Sequence, residues 1–164
     1  MMAGMGQSWR VRNVPVPAEY PVVLATAFGL HRIRPWSLPG SRRAHRLVGL
    51  PLVAAGVLLA AWAVRTAAEV DLAHPGRLVR LGPYAISRNP MYLGWLLASV
   101  GLGVVAGAFW VVAAVPLAAV RVHREVGREE GRLAASFGAE FETYCECVPR
   151  YVALRPVRWT RRAE

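Results

Sequence analysis

Apolar and polar positions alternate along this chain in blocks rather than residue by residue. Tyr20 to His31 gives 12 residues without Asp, Glu or Arg, Leu47 to Val64 gives 18 between Arg46 and Arg65, and Asn89 to Val120 gives 32. A membrane-crossing helix needs about 20 mostly apolar residues, so the second block fits one helix. The third would reach roughly 48 Å as a straight helix, well beyond a hydrocarbon core of about 30 Å. It is read as a helical hairpin over 91–120, bent around Gly101 to Gly107, where Gly101, Gly103 and Gly107 cluster. One long tilted helix is the competing reading. The first block is crowded by Pro15, Pro17, Glu19 and Pro21. It reads as a short span over 21–33 or as an interfacial segment. It does not read as a secretory signal, since no small-x-small exit follows it before Arg32.

After the third block the pattern changes. Arg121, Arg124, Glu125, Arg128, Glu129 and Arg132 recur at i, i+3, i+4, i+7, i+8 and i+11, while Leu133, Phe137, Phe141 and Tyr144 recur at i, i+4, i+8 and i+11. Both spacings are helical. They predict an amphipathic helix over 121–144, with Arg121–Glu125 and Glu129–Arg132 pairing along it and Gly138 marking a break. Residues 1–20 read as an irregular start, 34–46 and 65–90 as polar connectors, and 145–164 as a basic tail. The expected architecture is therefore all-α: a single-domain polytopic transmembrane bundle of three or four spans covering 1–164, with a C-terminal amphipathic cytoplasmic helix.

Composition supports this class. The chain has 164 residues, is 55% hydrophobic and has a mean hydropathy of +0.31, too apolar for an ordinary soluble domain of this size. Net charge is +10, and all 20 basic residues are arginine. The arginines flank apolar blocks, as in a protein facing anionic lipid, rather than forming a nucleic-acid patch. Nucleic acid is not expected as a partner. The hairpin returns 65–90 and 121–164 to one face, expected to be cytoplasmic, yet the 32–46 segment on the other side holds five arginines. The positive-inside rule is not met by every loop. Cys145 and Cys147 lack a second pair to complete a zinc site, and His31, His45 and His123 have no partners at metal-ligand spacing, so no metal is expected.

The chemistry-bearing residues lie at the two ends of the hairpin. Leu78-Val79-x-x-Gly82-Pro83-Tyr84-x-x-x-Arg88-Asn89-Pro90-Met91-Tyr92-Leu93-Gly94 precedes it. Glu129-Glu130-x-x-Leu133-x-x-x-Phe137-Gly138-x-x-Phe141-x-x-Tyr144-x-x-x-Val148-Pro149-Arg150 follows it. These two runs resemble the integral-membrane methyltransferases, the group that includes isoprenylcysteine carboxyl methyltransferase and the phospholipid N-methyltransferases. The resemblance covers residues 69 to 150.

The resemblance implies S-adenosylmethionine as cofactor and a lipid or lipid-like small molecule as methyl acceptor, reached from the bilayer. Candidate reactions are O-methylation of an isoprenylcysteine-type carboxylate and N-methylation of a phospholipid amine. It implies that Gly76, Arg77, Leu78 and Val79 border the adenine and that Tyr84 walls the cofactor. Asn89, Pro90, Met91 and Tyr92 stand where the family has His-Pro-x-Tyr. Asn89 keeps a donor and an acceptor but cannot titrate near neutrality. Glu129 and Glu130 match an acidic pair, with Glu129 expected at the cofactor's amino group, and Arg124 or Arg128 at a carboxylate. Glu69 is a thin match to a polar cofactor contact. Gly101-Leu102-Gly103 matches a G-x-G that helix packing explains equally well.

Each residue has a plainer reading. Tyr84 and Tyr92 suit interfacial anchors, Arg88 a stop residue after a span, Glu129 and Glu130 a solvated helix face, and His74 an incidental loop position. The whole chain has one as well: a non-catalytic membrane scaffold or transporter subunit that keeps the fold without the chemistry.

Overall fold

A computed structural model describes residues 19–67 and 77–152. Residues 1–18 of the expected irregular start, Glu69, His74, Gly76 and most of the basic tail lie outside the described residues, while Glu19 and Tyr20, expected in that start, open a helix.

The described chain is helical: α1 (Glu19–Ile33), α2 (Arg42–Ala67), α3 (Pro90–Val105), α4 (Phe109–Phe137) and α5 (Ala139–Cys147), with a single 3₁₀ turn at Gly82–Ala85. The starts of α2 and α3 have local causes. The Ser41 hydroxyl accepts from the Ala44 N–H (3.2 Å) and caps α2. Pro90 occupies the first turn of α3, where its missing N–H has no helical partner to lose. α2 begins five residues before the apolar block and ends three after it, because arginine is a good helix former and its charge alone does not stop a helix. At 26 residues α2 is long and apolar enough to cross a membrane, whereas α3, at 16, is a shorter apolar helix.

α2 and α3 pack through glycine. A Cβ on Gly56 would lie 2.5 Å from the Ala98 nitrogen and 2.6 Å from the Gly94 carbonyl. One on Gly101 would lie 2.6 Å from the Val53 nitrogen. Backbone meets backbone here, the close approach that small residues allow between helices in lipid. Gly101 and Gly103 therefore sit inside α3, and they do not bend the hairpin. The bend comes later, at Ala106–Ala108, and only Gly107, with φ 62°, has the left-handed conformation the turn needs.

The returning arm corrects a second expectation. No new helix begins at Arg121. α4 runs unbroken from the apolar turn through the charged segment to Phe137, and the break falls at Gly138 (φ 48°). Pro116 lies within α4 and Pro51 within α2, each removing one ladder hydrogen bond.

α4 packs against α3 on one side and α1 on the other. Val111, Ala118, Val122 and Val126 form its buried stripe, and Tyr20, Tyr92 and Trp95 close over the latter part of it. The α1–α2 loop is welded to the α3–α4 turn: the Leu38 N–H donates to the Gly107 carbonyl (2.9 Å), and the Phe109 N–H to the Trp36 carbonyl (3.0 Å). These two segments thus mark one end of the bundle, and the motif-bearing segments mark the other.

The glycine crossing gives a direct test. Gly56→Ala is expected to destabilise the protein by about 1–3 kcal/mol, because the methyl meets backbone that cannot step aside. Gly127→Ala, on α4 with nothing within 4 Å, is expected to gain about 0.5–1 kcal/mol of helix propensity. Thermal unfolding of the two variants in the same detergent checks both signs.

Candidate functional site

The residues before α3 and those after the apolar part of α4 enclose one cavity. Its lining comprises Arg77, Leu78, Val79, Tyr84, Arg88, Asn89, Pro90, Met91, Tyr92, Glu129, Glu130, Leu133, Phe141 and Tyr144, and cavity and mouth together enclose about 690 Å³. Each described residue singled out as cofactor-binding lies on this wall.

The floor is set by helical phase. Glu129 follows Val122 and Val126 at i+7 and i+3, so it continues the inward stripe of α4. The Tyr92 hydroxyl donates to its Oε2 (3.3 Å). Among the described residues Glu129 has no ion-pair partner; Arg132, expected to pair with it, reaches Glu125 instead, as does Arg128. Burial raises the Glu129 carboxyl above its ordinary value, and the neighbouring Glu125 and Glu130 charges add to that against the opposing effects of the Tyr92 hydrogen bond and Arg132. Burial, with the Glu129 charge, also pushes Tyr84 up to about 12, so that phenol stays protonated.

Glu130 is treated quite differently. The Arg88 guanidinium contacts its Oε1 (3.1 Å) while donating from a second nitrogen to the Cys145 carbonyl (3.2 Å). Arg150 pairs with the other carboxylate oxygen. The segment after α5 then straps the site from outside. The Arg88 N–H donates to the Pro149 carbonyl (2.9 Å), and the Asn89 side-chain amide donates to the Arg150 carbonyl (3.1 Å). The Tyr144 hydroxyl donates to the Tyr84 carbonyl (2.6 Å), and Tyr151 shares a hydrogen bond with His123 (3.0 Å). Arg80 pairs with Glu140, tying the connector to α5.

Two site expectations are not met by this geometry. Arg124 and Arg128 are exposed and stand outside the cavity, Arg128 being engaged with Glu125. Conversely, Arg88, Leu133, Phe141 and Tyr144 belong to the wall. The helical spacing of Leu133, Phe141 and Tyr144 is visible in the sequence, but a repeating apolar face does not say what it covers. The Cys145 and Cys147 thiols are free, and among the described residues no group of His, Cys, Asp and Glu could hold a metal.

Fold and cavity together define a helical bundle of membrane-type packing with a largely apolar, aromatic-walled pocket at one end that carries Glu129 and Glu130. The family model for phospholipid methyltransferase matches residues 44–140, and the chain belongs to that family, whose members are S-adenosylmethionine-dependent. A stretch of 74 residues, 45% of the chain, is 36% identical to the cobalt-zinc-cadmium resistance protein CzcN of Cupriavidus metallidurans. The match spans 34% of that relative's length. No solved structure matches the chain.

Two outcomes follow from the site. A carboxyl whose pKa is raised on folding lends stability below its unfolded value and loses it as pH rises through the folded one. Glu129→Gln is therefore expected to raise the melting temperature of the ligand-free protein at neutral pH, with the gain shrinking towards pH 4.5, the unperturbed value. Melting curves across that range check it. Arg88→Ala leaves Glu130, with 12% side-chain exposure, one guanidinium short and is expected to cost about 3 kcal/mol, read by the same unfolding assay.

Proposed function

We propose that this protein is a multi-pass membrane methyltransferase that uses S-adenosylmethionine to methylate a lipid-like or hydrophobic small-molecule acceptor. The single observation that carries the reading is Glu129: a desolvated carboxylate on the floor of the cavity, held by the Tyr92 phenol and without an ion-pair partner among the described residues. Such a group favours a ligand that brings its own positive charge. The cofactor's α-amino group has that chemistry, and Glu129 would hold it. Leu78, Val79 and Tyr84 would wall the adenine, with Phe141 and Tyr144 behind them. When bound, the cofactor supplies an electrophilic methyl group.

The chain's own contribution is alignment and exclusion of water. In the Arg88–Glu130–Arg150 cluster both carboxylate oxygens are paired, and the cluster acts as a fixed wall. Asn89 is committed to the Arg150 carbonyl, so in this reading it positions the start of α3 and transfers no proton. The acceptor would come from the bilayer between helices, with the cavity end on the cytoplasmic side. Both a carboxylate, as in isoprenylcysteine-type O-methylation, and a phospholipid amine suit the family resemblance.

The name of the curated relative favours a second reading, in which the chain is a non-catalytic membrane scaffold or transporter subunit of a metal-resistance system. The two readings part at Glu129. Isothermal titration of the purified full chain with S-adenosylmethionine is expected to give a binding heat. Glu129→Gln is expected to weaken affinity roughly thirtyfold, the equivalent of about 2 kcal/mol for losing one partner of a buried charge contact. No heat for the wild type would end the enzyme reading. Transfer of radiolabelled methyl into membrane lipid and small-molecule extracts then identifies the acceptor.

A further inference from the structure

The end of the bundle away from the cavity carries a second concentration of charge that methyl transfer does not use. Arg32, Arg34, Arg42, Arg43 and Arg46 are all exposed. No Asp or Glu occurs from Tyr20 to Ala67, and among the described residues none of the five guanidinium groups meets a carboxylate. The segment that bears them is held at a defined height. Besides the two backbone bonds from Leu38 and to Trp36, the Trp110 indole N–H donates to the Arg34 carbonyl (2.8 Å), and the His45 ring bonds the Pro39 carbonyl (3.1 Å).

At the same height Trp36 stacks on Phe109 (centroids 4.4 Å apart) and meets Trp110 edge-on (5.6 Å). Immediately past Arg46, on α2, Leu47, Val48 and Leu50 are exposed, and Val57 and Leu58 continue the apolar surface. Arginine above, an aromatic girdle level with it and an open apolar face below is the vertical order of a headgroup region over acyl chains. Guanidinium forks match phosphodiester oxygens.

We propose that the α1–α2 loop and the α3–α4 turn form a fixed seat for anionic phospholipid headgroups in the leaflet opposite the cavity. It is separate from the acceptor site, because the 16 residues of α3 set the two ends about 24 Å apart. It rests on the membrane-spanning reading but not on methyl transfer. Its occupant is lipid rather than nucleic acid, since the apolar face directly below the arginines has to be covered by acyl chains.

The test is thermal unfolding of the full chain in nanodiscs of phosphatidylcholine, with and without phosphatidylglycerol. Phosphatidylglycerol is expected to raise the wild-type melting temperature by about 4 °C or more. The variant Arg42→Gln/Arg43→Gln/Arg46→Gln is expected to melt like wild type in phosphatidylcholine and to lose that increment. Should this variant fail to fold, Arg32→Gln/Arg34→Gln is expected to lose part of it. No increment in the wild type, or an equal increment in the variants, overturns the proposal. So does an increment reproduced in phosphatidylcholine discs by inorganic phosphate, which would make the seat a free-anion site, or by a duplex oligonucleotide, which would make it a nucleic-acid surface. None of these readouts involves S-adenosylmethionine, so a failure here leaves the methyltransferase reading standing, and the converse holds too.

Discussion

The structure depends on how two neighbouring carboxylates on one helix are held. Glu130 is neutralised by Arg88 and Arg150, which come from either side of it in sequence. Among the described residues Glu129 is held by the Tyr92 hydroxyl and has no ion-pair partner. A helix turns by about 100° per residue, so adjacent glutamates cannot face the same surroundings. One faces the strap and completes a wall, and the other continues the buried stripe of α4 into the cavity. Removing Glu130's partners would leave two desolvated negative charges side by side and would loosen the start of α3 against α5. The cavity exists because the first carboxylate is satisfied and the second is not.

The same clamp explains why the motif segments lie together. Asn89-Pro90 opens α3 and Glu129-Glu130 lies in the last third of α4, and the turn at Gly107 brings the two helices side by side. The glycine crossing of α2 on α3 sets the opposite flank. The strap after α5 then joins the two motifs through main-chain carbonyls of Cys145, Pro149 and Arg150. α5 therefore belongs to the cavity's scaffold, with Phe141 and Tyr144 facing inward and Arg80–Glu140 fixing its outer edge.

Much of this was legible in the residues, and the misses have physical causes. The two motifs named the cavity's wall because their residue types are rare beside apolar blocks: paired acids, a Pro-bearing turn, spaced tyrosines. Arg124 and Arg128 were misplaced by proximity along the chain. Arg128 is next to Glu129 in sequence but about 100° away around the helix, and Arg124 about 140° away, so both point to the outside. The hairpin was legible from length alone, but its bend was not, because glycine serves equally in a turn and in a helix crossing. Gly107 does the first, Gly101 does the second against α2, and Gly103 makes room for Val111 and Val112 of α4. The start expected at Arg121 failed because a change from apolar to charged residues alters what a helix faces without ending it. Asn89 met a backbone carbonyl, and carbonyls carry no signature in sequence.

The central claim is that the turn before α3 and the acidic part of α4 face one small molecule. Photo-cross-linking of radiolabelled S-adenosylmethionine to the full chain, followed by peptide mapping, tests it most directly. Label is expected on the peptides that carry Arg77–Tyr92 and Glu129–Tyr144, and unlabelled cofactor is expected to compete it away. Label confined to the Arg32–Arg46 end, or label that excess cofactor does not displace, would contradict the account.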